Sequence, residues 1–153
     1  MAAYYFDASA VVKRYVDEPG TETVQELLDP AASHDIYIVI VGAAEVGAAI
    51  ARRGRSGNQL TDEASEAIRR LEEDCASRWT IIEITPDLMS EVIRLVQSHL
   101  LRGYDAVHLA AALQADRIRQ EEGLSELILV SSDQQLNAAA IAEHLTVLDP
   151  NNE

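Results

Sequence analysis

Apolar residues along this chain follow two alternating spacings. Short, nearly unbroken runs occur at residues 3 to 7, Ile36 to Val41, Thr80 to Ile84, 127 to 131 and Leu145 to Leu148. Runs of this length, rich in β-branched residues, read as strands buried on both faces. Between them the spacing becomes helical: Val24, Leu27 and Leu28; Val46, Ala49 and Ile50; Ala64, Ala67, Ile68, Leu71 and Cys75; and Leu88, Met89, Val92, Ile93 and Val96, the last set read as one buried stripe. Residues 104 to 120 are so weakly polar that most of that helix's circumference is expected to be covered. Strands alternating with helices predict a three-layer α/β/α fold around a mainly parallel sheet. The expected organisation is a single domain over residues 1 to 149, with a polar tail at 150 to 153 that frays.

Boundary residues refine this picture. Ser9 is expected to cap a helix running to about residue 16, and Thr85 with Pro86 marks another helix start. Residues 53 to 60 read as a polar connection joining helices 43 to 53 and 61 to 78. That antiparallel pair is expected to project from the sheet and to offer a dimer surface. His99 reads as a surface residue near a helix end, His108 as a helix-flank residue, and Asp116 as a solvated acid.

A chain of 153 residues can bury a core without disulfides, and its one cysteine has no intrachain partner. No charged leader and no membrane-length apolar run is present, so a soluble cytoplasmic protein with no membrane partner is expected. The formal charge of −14 argues against a surface that attracts nucleic acid everywhere. A local site is compatible with it, because a divalent cation inverts the sign at a carboxylate cluster.

Four acids recur near strand ends or helix starts: Asp7 after the first strand, Glu45 after the second, Asp105 opening the alanine-rich helix, and Asp133 after the fourth strand. Parallel strands deliver their following loops to one sheet edge, so residues remote in sequence converge there. Carboxylates gathered in this way repel unless protonated or bridged, and an all-oxygen site suits Mg²⁺ or Mn²⁺. Such an ion orients a phosphodiester, offsets its developing charge and acidifies water for in-line hydrolysis. The competing reading makes each acid an ordinary helix cap or first-turn acid. Ser9 and Ser132 are candidates to hold a carboxylate, water or phosphate. Lys13, Arg14 and Arg52 are candidate phosphate contacts, against the alternative of surface salt bridges. No glycine-rich nucleotide loop, G-x-S-x-G elbow or H-E-x-x-H motif occurs.

The segments Phe6 to Tyr15, the Glu45 helix, Arg102 to Ala110 and Val130 to Leu136 together resemble the PIN-domain family, specifically the VapC-type ribonuclease toxins of toxin–antitoxin pairs. The resemblance spans nearly the whole chain in the family's order. It implies that Asp7, Glu45, Asp105 and Asp133 form a catalytic, metal-binding acidic pocket for Mg²⁺, with Mn²⁺ a substitute. Asp7 and Asp105 would be the central ligands. Glu45 would bind through water or orient the attacking water, and Asp133 would complete a second position. The resemblance further implies an RNA substrate, a homodimer, and a small VapB-like antitoxin through which alone operator DNA is reached. Two other readings compete: an RNA-processing nuclease without antitoxin, and a non-catalytic module whose acidic face binds a basic protein.

Overall fold

The computed structural model describes residues 1–152; Glu153, the last residue of the expected tail, lies outside the described residues. Strand β1 (Ala3–Phe6) leads into a single turn of helix, α1 (Ala8–Val11), and one 3-10 turn at Val12–Arg14, in place of the continuous helix expected to residue 16. There follow α2 (Thr21–Leu27), β2 (Asp35–Val39), α3 (Ile40–Arg53), a hairpin of β3 (Arg55–Ser56) and β4 (Gln59–Leu60), and α4 (Asp62–Ser77). The second half contains β5 (Thr80–Ile82), α5 (Pro86–Ser98), α6 (Gly103–Glu121), β6 (Leu127–Val130), α7 (Gln134–Ala142) and β7 (Thr146–Leu148).

Five strands form one sheet in the order β5-β2-β1-β6-β7, and every pairing in it is parallel. The pleat of β1 sorts its side chains between two cores. Ala3 and Tyr5 enter the cluster shared with α5, α6 and α7, whereas Tyr4 and Phe6 enter the cluster shared with α1 to α4. This is the expected three-layer α/β/α arrangement. The chain moves from β1 to β2 on one side and returns as β6 on the other, so the crevice of the topological switch opens at the carboxyl end of β1. Asp7 occupies that end.

Several local expectations are corrected. The strand expected from Ile36 to Val41 stops at Val39, which is also the last residue paired with β5, and Ile40 and Val41 are already helical. Once the ladder ends, helical hydrogen bonds satisfy the backbone groups that the sheet no longer pairs. The polar connection at 53 to 60 contains the β3–β4 hairpin. On α5 only Leu88, Val92 and Leu95 are buried, while Met89, Ile93 and Val96 face outward together with Leu100 beyond the helix end. A helix resting on one neighbour, here α6, covers a single i, i+4, i+7 stripe, and the second apolar stripe is left over. By contrast, the stretch Ala106 to Ala112 on α6 is buried at every position, as its composition predicts.

The fraying expected from residue 150 is not seen at residues 150 to 152. Pro150 is buried, and Pro150–Asn152 forms a turn against Gly20, whose φ is +88°. A Cβ at Gly20 would stand 2.8 Å from the Pro150 carbonyl oxygen, so glycine serves both the left-handed conformation and the close approach. Among the described residues no helix is long and apolar enough to cross a membrane.

Candidate active site

Asp7 terminates β1 and caps α1, accepting from the Ala10 backbone N–H at 3.0 Å. This role had been expected of Ser9. Ser9 instead turns back on the acid, its hydroxyl 2.7 Å and 2.9 Å from the two carboxylate oxygens. The Ser131 hydroxyl, delivered by the end of β6, donates to Asp7 Oδ2 at 2.8 Å and accepts from the Asp133 backbone N–H at 3.0 Å. Ser132 contacts Ser9 Oγ through both its N–H and its hydroxyl, each at 3.2 Å. Asp7 is 3 % exposed. Burial raises its carboxyl above the ordinary aspartate range, opposed by any positive charge on His108 and by the bonds from Ser9, Ser131 and Ala10.

The other three acids lie in the first turn of α6, at the cap of α7 and on α3. Asp105, in the first turn of α6, is raised by desolvation first; the next cause is the negative charge of Asp133, with smaller contributions from Asp7 and Glu45. Any positive charge on His108 acts in the opposite direction. Asp133 caps α7 by accepting from the Leu136 N–H at 3.0 Å. Glu45, one turn into α3, holds His108 Nε2 with its Oε1 at 2.7 Å. Capping is thus real for Asp7 and Asp133.

An all-carboxylate donor set with serine hydroxyls behind it fits a hard divalent cation by charge and ligand type. As oriented, Asp7, Glu45 and Asp133 are committed to Ser9, Ser131, His108 and backbone amides. Among the described residues no three His, Cys, Asp or Glu side chains are grouped closely enough to hold a metal.

A PIN-domain family profile matches residues 4–143. Ribonuclease VapC45 of Mycobacterium tuberculosis is 32% identical over 154 residues, covering 98% of this chain and all of the relative. The chain belongs to the PIN-domain family, in its VapC-type branch. Solved structures agree at the level of fold. A FitAB structure bound to an IR36 DNA fragment matches with a TM-score of 0.64 at 14% identity, covering 96% of this chain and 94% of that one. A toxin–antitoxin complex from Klebsiella pneumoniae matches with a TM-score of 0.61 at 18% identity, covering 97% and 98%.

This VapC-type chain differs from its sequence-based reading in its cations. Lys13 is 4 % exposed and pairs with Glu18 at 3.2 Å. Arg14 binds buried Asp74 through Nε at 2.8 Å and Nη2 at 3.3 Å. Both line a cavity of about 630 Å³ bordered by Glu18, Glu22, Gln25 and Arg70, to which none of the four acids contributes. Arg52 is exposed and makes no ion pair among the described residues. It follows Glu45 by seven residues, roughly two turns along the same side of α3.

Other residues escaped the sequence reading or read differently there. Ser131 is fully buried, and its carbonyl accepts from Asn137 Nδ2 at 2.8 Å. The available signal was a repetition: a serine two positions from the acid occurs in both Asp7-x-Ser9 and Ser131-x-Asp133. His108 is no flank residue; it is 2 % exposed, inside the apolar run of α6. His99 pairs with Glu143 at 2.9 Å, and Asp116 accepts from the Leu127 N–H at 2.9 Å, tying α6 to β6.

Proposed function

We propose that this chain is a divalent-metal-dependent endoribonuclease, the toxin of a toxin–antitoxin pair, acting on RNA in the cytoplasm. The reading is carried above all by the PIN-domain match over residues 4–143 and the 32% identity to ribonuclease VapC45 along the whole chain. Carboxylates drawn together are suited to a cation. The PIN/VapC family generally uses a divalent metal, and Asp7, Asp105 and Asp133 are the residues to hold it, with Glu45 reaching it through water. When bound, that ion would neutralise phosphate charge and acidify water.

The protein's own groups supply position and proton transfer. Asp7 is fixed by two hydroxyls and a backbone amide, so it reaches the crevice already oriented. Glu45 has Oε1 committed to His108, and its other oxygen takes the proton of the attacking water. The water oxygen bonds to phosphorus opposite the leaving ribose oxygen, which departs with a proton from solvent. Arg52 draws in the strand's next phosphates.

Purified protein is expected to cleave RNA with Mg²⁺ or Mn²⁺, and to lose cleavage with chelator and with Asp105→Asn. Cleavage indifferent to both would overturn the mechanism. The partners are a VapB-like antitoxin, through which operator DNA is reached, and a second copy of the chain. The outward stripe Met89, Ile93, Val96 and Leu100 is the dimer surface favoured here. The α3–α4 pair spends Val46, Ile50, Ala64, Ala67 and Leu71 on the monomer's core instead. Ile93→Asp should yield a monomer by light scattering, and an unchanged mass would exclude this face.

A further inference from the structure

Two buried polar side chains, Tyr5 and His108, form a relay behind the acids. The Tyr5 hydroxyl lies 2.8 Å from His108 Nδ1, and His108 Nε2 lies 2.7 Å from Glu45 Oε1. The relay joins β1, α6 and α3, the elements that carry Asp7, Asp105 and Glu45. Tyr5 is fully buried. Its phenolic O–H is a hydrogen-bond donor. An ionised Glu45 only accepts, so His108 must present N–H at Nε2. With Nε2 donating, a neutral ring leaves Nδ1 to accept from Tyr5, and every polar atom of the relay is satisfied.

The α3 helix is shaped around this ring. Gly42, three residues before Glu45, is buried, and a Cβ there would stand 3.1 Å from His108 Cε1 and 3.0 Å from Ile38 Cγ1. The missing side chain lets the imidazole edge lie against the helix at the turn that carries Glu45.

We propose that Tyr5 and His108 are positioning residues. The phenol holds the imidazole in its Nε2–H tautomer, and the imidazole fixes the Glu45 carboxylate for proton transfer, with Gly42 making the space. The catalytic consequence rests on the nuclease reading, whereas the tautomer and its cause do not.

Nitrogen-15 NMR of the metal-free protein, with the His108 signal assigned from His108→Gln, is expected to show a single neutral Nε2–H tautomer. In Tyr5→Phe, which removes only the hydroxyl, the ring should become a mixture of tautomers. In RNA cleavage Tyr5→Phe should lower kcat about tenfold, in the range typical of groups that orient metal-site ligands, with KM unchanged. His108→Gln, whose amide N–H still reaches toward Glu45, should retain more activity than His108→Leu of equal thermal stability. An Nδ1–H or doubly protonated ring in the wild type overturns the proposal without any variant. So does a Tyr5→Phe protein with unaltered tautomer and rate, or equal activity of the Gln and Leu variants. If the wild type cleaves no RNA with either metal, the nuclease reading fails, and the NMR result still decides whether Tyr5 sets the tautomer.

Discussion

Ser131→Ala tests how Asp7 is held. The hydroxyl lost is fully buried, donates to Asp7 Oδ2 at 2.8 Å and accepts from the Asp133 N–H at 3.0 Å. A hydrogen bond to a charged group is worth about 1.5–3 kcal/mol. The orphaned Asp133 amide adds little, because that residue is half-exposed and water can reach it. The expected cost at neutral pH is therefore roughly 2–3 kcal/mol, a melting temperature lower by about 5–10 °C for a domain of this size. The cost should depend on pH. The folded Asp7 carboxyl binds its proton more tightly than the unfolded one. The stability linked to that proton is full below the unfolded value and is lost as pH rises through the raised folded value. Removing Ser131 removes one of the bonds that oppose the rise, which pushes the folded value higher and deepens the loss on the alkaline side. Urea unfolding of wild type and variant at about pH 4.5 and pH 7 should give a larger difference at pH 7, with similar slopes. A difference below about 0.5 kcal/mol at neutral pH, or one that grows on acidification, would refute this account of Asp7.

Three further outcomes follow from the same structure. Mg²⁺ or Mn²⁺ should raise the melting temperature at neutral pH, less so in acid where protons compete at the raised Asp7 and Asp105 carboxyls, and not at all in Asp105→Asn; differential scanning fluorimetry reads all three. Arg119→Met should cost about 2–3 kcal/mol in urea unfolding, because Arg119 bridges Asp35, Tyr37 and Ser125 from a buried position. Its kcat should be unchanged, since it lies fourteen residues along α6 from Asp105, about 21 Å. Arg52→Glu should raise KM for RNA at low salt without lowering the melting temperature, whereas Arg14→Glu should unfold the protein more readily, because it abandons buried Asp74.

Much of the fold was legible because burial on two faces imposes a composition. β1, β2 and β6 can be nothing but apolar where helices cover both sides, and α6 advertises its central place through alanines. The caps Thr61 and Thr85 act through local bonds and fall where such residues belong. The four acids were readable as candidates for a related reason: strand ends and helix starts recur, and parallel topology sends them to one edge.

What the sequence determined by itself was thus the strands of the main sheet, the longer helices, their layering and the acids at their ends, all consequences of spacing along a single segment. The tertiary structure alone decided which partners each polar group found. Ser131 meets Asp7 across 124 residues, His108 meets Tyr5 across 103 and Glu45 across 63, and Lys13 is buried although it read as a phosphate contact or a surface ion pair. Likewise α5 carries two apolar stripes of similar strength, and only the position of α6 chose between them. Hydrogen-bond partners and covered faces belong to pairs of segments, and no periodicity within either member of a pair encodes the other.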